Sequence, residues 1–143
     1  MIITVINRTH RSRVFSTRIF LTLCWSILLV MFFDSCAWIF DGLEGTLYRR
    51  LNYVSNFLLF FFQPLPLTIW LYYADFLLNN SAQRLKRRWY YFLPFIIVAT
   101  VTVISLFNGK IFYIDEQNIY YRGSWFVYLS FFYAFPILVP FIF

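Results

Sequence analysis

The sequence predicts an all-α membrane protein, a bundle of about four transmembrane helices with a kinked second span. Three observations lead there. Hydrophobic residues make up 62% of the 143 residues and charged residues only 13%, where a soluble domain carries about 25% charged. The apolar residues gather in continuous runs, each near the ~20 residues a helix needs to cross the hydrocarbon core. The runs lack period-two alternation, so helices rather than barrel strands satisfy their backbone in lipid. This composition excludes a disordered chain, a disulfide scaffold, a coiled coil and most soluble enzymes.

Residues 1–18 form a basic flank with Arg8, Arg11, Arg13, Arg18 and the single His10, read as a solvated residue. Its charges follow a short apolar opening instead of preceding a longer one, the wrong order for a secretory signal peptide. The transmembrane domain covers 19–143. Span one, about 19–40, is interrupted only by Asp34 and Ser35. Cys24 and Cys36 both lie in it; twelve residues of helix put them about 18 Å apart, too far for a disulfide. They read as small apolar packers. The following loop, DGLEGTLYRR, carries Gly42 and Gly45, suited to a tight turn.

Span two, about 51–78, is broken near its middle by Gln63-Pro64-Leu65-Pro66. Proline removes a backbone donor and crowds the preceding turn, so a kink at Pro64/Pro66 is expected. The loop NNSAQRLKRR leads to span three, about 89–107, with Pro94 near its start. Residues 108–123 are a polar island that opens with an Asn108-Gly109 turn signal. Their loose alternation suggests a short hairpin or interfacial turn, with Tyr113, Tyr120 and Tyr121 at headgroup depth. Span four is about 125–143.

Charge sets the orientation. Arg8, Arg11, Arg13 and Arg18 share one side with Arg84, Lys86, Arg87 and Arg88. The other side holds only Arg49, Arg50, Lys110 and Arg122, balanced by Asp41, Glu44, Asp115 and Glu116. The positive-inside rule makes the N-terminal flank cytoplasmic in a multi-pass protein of the cell (plasma) membrane. The net charge of +6 then reflects cytoplasmic flanks and calls for no nucleic acid. Arg84, Lys86, Arg87 and Arg88 read as a membrane-surface anchor that also suits anionic lipid.

Few groups can carry chemistry. Asp34 and Gln63 are the intramembrane polar candidates. An acid within a span suggests function by default, yet Asp34 also suits a structural role facing the bundle or pairing with Arg49 or Arg50. Asp75 is read as an ion-paired or solvated acid near the RLKRR cluster. Asn52, Asn56 and Gln63 share one helix face, which either packs by interhelical hydrogen bonds or lines a ligand cavity. One His and two Cys of the same helix cannot assemble a metal site, and no phosphate loop, nucleophile elbow or dinucleotide fingerprint is present. The reading expects no catalytic residues, no metal and no cofactor.

The blocks FDGLEGTLYRRLNYVSNFLLFFFQPLPLTIWLYYADF, RLKRRWYYFLPFII and SLFNGKIFYIDEQNIYYRGSWF resemble the N-terminal multi-span membrane sensor region of bacterial GGDEF diguanylate cyclases, chiefly from Firmicutes. The likeness covers about residues 14–135. It implies a receptor whose helices relay an input to a cytoplasmic domain that joins two GTP molecules into cyclic di-GMP with magnesium. This chain contains no GGDEF motif, so the catalytic domain is absent and a fragment or truncated form is expected. Similar proteins carry one more span upstream, of which MIITVI reads as a remnant. The resemblance assigns sensing to Asp41, Gly42, Gly45, Asn52, Tyr53, Asn56, Tyr113, Asp115, Arg122 and Gly123. Among these, Asp41 and Asp115 are expected to pair with Arg49 and Arg122 and tie the two outer loops into a cap.

The expected function is that of a membrane sensor or signal-transducing module without enzymatic activity. The expected partners are the lipid bilayer, an unknown small ligand, and a second copy or a missing cytoplasmic output domain. The alternatives are a small transporter-like subunit using Asp34 and the broken span, or a structural membrane subunit.

Overall fold

The first helix outruns its apolar segment. In the computed structural model, which describes residues 2–79 and 89–131 with side chains for 14–78 and 89–131, α1 runs unbroken over Ile2–Phe40. Its 39 residues span about 58 Å, so the basic flank and the first span are a single rod. The helix α2, Thr46–Phe62, is followed at once by α3, Pro64–Asn79, with Gln63 as the only residue between them. A 3₁₀ turn at Trp89–Phe92 leads into α4, Leu93–Asn108. The strands β1, Phe112–Ile114, and β2, Tyr120–Arg122, form an antiparallel hairpin, and residues 126–131 are helical.

Among the described residues three helical segments are long and apolar enough to cross a membrane: Val14–Phe40, Thr46–Leu78 and Trp89–Asn108. The greater part of the expected fourth span lies outside the described residues, as do the anchor residues Arg84, Lys86, Arg87 and Arg88. The α2–α3 rod lies in the middle, with α1 packed along both of its parts and α4 against it as well. Trp25, Leu28, Phe32, Trp38 and Ile39 of α1 are exposed, as a lipid-facing surface requires.

Local chemistry explains how so apolar a chain stays satisfied. Hydroxyls in the helices fold back onto carbonyls one turn earlier: Thr22 on Arg18, Ser35 on Met31, Thr68 on Pro64, Thr100 on Ile96 and Thr102 on Val98. Each covers its own polarity without a second helix. At the end of α4, Gly109 adopts φ 63° and its N–H closes the helix on the Ser105 carbonyl at 2.8 Å. That is the left-handed cap glycine supplies at no steric cost, and the Asn108-Gly109 turn stands where the sequence places it.

The apolar core sits beneath the hairpin. Phe60, Val98, Ile111, Phe112, Ile114 and Leu129 are buried together. Phe112 is the hub, with ring centroids 5.4 Å from Tyr53, 5.4 Å from Phe60 and 6.2 Å from Tyr120. The hairpin thus plugs the bundle end instead of resting on it. Its outward face carries Tyr113 and Tyr121, stacked at 5.2 Å and exposed, in keeping with an interfacial position. Tyr120, expected with them, turns inward against Phe112.

Candidate functional site

The end of the molecule bearing the hairpin, the cap end, is held by a chain of amides. Asn52 of α2 is fully buried. Its Nδ2 donates to Asp41 Oδ1 at 3.2 Å and to Asn118 Oδ1 at 3.0 Å. Asn56, one turn on, donates to Asn52 Oδ1 at 2.7 Å. Asn118 in turn donates to the carbonyls of Phe40 at 2.6 Å and Leu43 at 2.9 Å, and its own carbonyl accepts from Gly42 N–H at 2.9 Å. Asp41 Oδ1 also accepts from Tyr120 N–H at 2.9 Å. The end of α1, the first loop, α2 and the hairpin therefore meet at Asn118. That residue holds φ 64°, a left-handed conformation asparagine tolerates better than most side chains.

Asn118 was not among the sequence candidates. The only signals for it were its residue type and its place three residues after Asp115 in a polar loop, and many surface turns share both. The expected ion pairs are replaced. Asp41 takes amide donors, and Asp115 Oδ1 accepts from the N–H groups of Gln117 at 3.0 Å and Ile119 at 2.8 Å. Arg49 reaches the Ile114 carbonyl at 3.5 Å. Backbone amides fixed by the turn lie closer to these carboxylates than flexible guanidiniums do, and they carry no desolvation cost of a second charge.

The other predicted residues divide cleanly. Asp41, Gly42, Asn52, Asn56 and Arg122 come together around the cap. Tyr53 faces α4 and donates to the Leu106 carbonyl at 3.2 Å, covering an orphan acceptor of the last turn. Gly45, at φ 121°, precedes α2 as its N-cap. Tyr113 and Asp115 lie on the hairpin's outer side, where Asp115 pushes the neighbouring Tyr121 phenol above its ordinary value. Gly123 is a close-approach residue: a Cβ there would collide with the Lys110 carbonyl. Asp75 is buried, which rules out the solvated reading.

Directly beneath the network lies a cavity of about 380 Å³. One wall is the α1 face carrying Val30, Met31, Asp34, Ala37 and Trp38 at helical spacing, continued by Asp41 just past the helix end. The opposite wall is Asn56, Leu59, Phe60 and Gln63 at the α2–α3 break, and Tyr120, Arg122 and Phe126 close the cap end. Met31, Asp34 and Trp38 are exposed, so the cavity opens sideways past α1. Asp34 thus faces the cavity and not Arg49 or Arg50. Gln63 Oε1 is buried without a hydrogen-bond partner. The Arg122 guanidinium sits 4.7 Å over the Phe126 ring and beside the Tyr120 hydroxyl. Burial raises the Tyr120 phenol above its ordinary value, with Arg122 opposing, so at neutral pH the phenol keeps its proton.

An apolar cavity of this size with a few convergent polar groups is the usual form of a small-molecule site. Among the described residues no cluster of His, Cys, Asp and Glu is arranged to hold a metal ion. Comparison with protein-family models, with curated proteins and with solved structures finds no match.

Proposed function

We propose that this chain is a membrane sensor, a module in which a small ligand in the cavity biases the position of α1. One observation carries the reading. The same unbroken helix, Ile2–Phe40, lines the cavity near one end and forms the basic flank at the other. A ligand that fits one placement of α1 better than another shifts the population toward it, and helix shifts of about 1–2 Å are an ordinary output of such sites. In this reading the protein spans the plasma membrane four times, with the second span kinked at Pro64/Pro66. The N-terminal flank is cytoplasmic and the cap faces outward. The signal passes to a cytoplasmic partner or output domain, as the resemblance to diguanylate cyclase input regions implies, and the chain itself catalyses nothing.

Ala37 is buried on the cavity wall, so Ala37→Leu reduces the cavity. With a GGDEF cyclase domain fused behind the chain, this variant is expected to change cellular cyclic di-GMP at least twofold at equal membrane abundance. An unchanged level at equal abundance contradicts the proposal.

A second reading, a transporter-like subunit, is favoured by the meeting of Asp34 and the broken helix in the same cavity, the arrangement of a midplane substrate site. Asp34→Asn separates the two. A transporter loses uptake outright, whereas a sensor keeps folding and changes only its set point.

A further inference from the structure

We propose that the cavity recognises an elongated zwitterion, an ω-amino acid or a short peptide, with its ammonium at Asp34 and Gln63 and its carboxylate at Arg122. The inference rests on the sensor reading and deepens it by naming the class of ligand.

The cavity lining holds Asp41 and its one cation, Arg122, at the cap end, and Asp34 and Gln63 at the end farther from the cap, here called the deep end although Asp34 lies at its side opening. At the deep end Asp34 has no hydrogen-bond or ion-pair partner among the described residues, and Gln63 Oε1 is buried with no donor. Both are acceptors, and an acid inside a span is costly unless it pairs or faces a cavity. An ammonium, with three donors, serves the two together. At the cap end the Arg122 guanidinium has a phenol and an aromatic ring as neighbours, neither of them an anion. The nearby Asp41 carboxylate already has its Oδ1 on Asn52 and the Tyr120 N–H. A ligand carboxylate completes Arg122 with the bidentate geometry a guanidinium prefers.

Spacing selects among zwitterions. Asp34 lies seven residues before Asp41, and Gln63 seven after Asn56, so the deep end is about 10 Å of helix below the cap. Side-chain reach shortens that gap without closing it. Arg122 and Asp34 accordingly line one cavity without forming an ion pair. An α-amino acid carries its two charges only a few bonds apart and engages one end or the other. A ligand with five or six linking atoms engages both, and Leu59, Phe60 and Phe126 offer its methylenes an apolar wall.

The test is thermal unfolding of the full chain in lipid nanodiscs with 6-aminohexanoate as the probe, against hexanoate, hexylamine and glycine at the same concentration. The expected result is that only 6-aminohexanoate raises the midpoint, and that Asp34→Asn and Arg122→Gln each weaken its apparent affinity at least tenfold. Arg122→Lys, which keeps the charge, serves if Arg122→Gln does not fold, and is expected to retain partial binding. A shift by hexylamine as large as that by 6-aminohexanoate, lost in Asp34→Asn, overturns the proposal in favour of a simple cation site. No shift by 6-aminohexanoate overturns it too. The reporter assay with Ala37→Leu is independent: a responding reporter without probe binding leaves the sensor reading standing and removes this ligand class, and the converse pattern does the reverse.

Discussion

Two stretches of α1 are held by different physics. At the cap end its last residues are fixed by directed hydrogen bonds from Asn118 and Asn52. Further down, α1 meets α3 through rings, Phe15 on Phe76 at 5.0 Å and Phe20 on Tyr73 at 5.9 Å. Hydrogen bonds demand one geometry and lose most of their value when misaligned. Aromatic contacts tolerate a range of offsets and tilts. The difference teaches where the proposed sensor would move: the cap would serve as the fulcrum and the ring contacts below it would let α1 pivot. The cavity lies directly below that fulcrum.

The largest effect should come from removing the cap's hub. Phe112→Ala is expected to cost about 4 kcal/mol, since it deletes a fully buried ring that three others pack against; denaturant unfolding in nanodiscs reads it. Gly123→Ala should follow at about 3 kcal/mol, because a new Cβ meets backbone at Lys110 and not a flexible side chain. Its signature is loss of protection of the Trp125 N–H, bonded to the Lys110 carbonyl at 2.8 Å, in hydrogen exchange. Asn118→Ala is expected to cost about 2 kcal/mol by orphaning the Phe40 and Leu43 carbonyls. Asn118→Gly relieves the backbone at φ 64° but restores no donor, so it should recover under half of the loss. Full recovery would show that backbone conformation, not the clamp, matters. At the ring-held stretch, Phe76→Leu should cost only about 1 kcal/mol. A cost equal to that of Asn118→Ala would erase the contrast between the two stretches.

Much of the scaffold was legible in the sequence because length and apolar continuity leave a membrane helix few alternatives. The hairpin followed from the loose alternation after Lys110, and the end of α4 from Asn108-Gly109. Asn52 and Asn56 were found because a polar group in an apolar stretch must go somewhere, and Asp41 because it stands in the blocks that carry the resemblance. Two things were not legible. Phe112 is one of 20 phenylalanines, and its place at the hub depends on a hairpin that plugs the bundle, a tertiary fact. Asn118 acts through its conformation and through contacts with residues 75 and 78 positions earlier, and local pattern does not carry such pairings. The mistaken ion pairs share this origin: opposite charges suggested partners, but turn amides already fixed in space reached the carboxylates first.

The most direct test of the account is a pair of electron–electron distance measurements in nanodiscs, after Cys24 and Cys36 are replaced by serine. One spin-label pair, at Leu43 and Glu116, reports the cap; the other, at Leu21 and Leu77, reports the lower α1–α3 contact. The account predicts a narrow cap distance that Ala37→Leu leaves unchanged, and a lower distance that shifts by about 2 Å. If both distances move together, or neither moves, α1 does not pivot beneath a fixed cap and the account is contradicted.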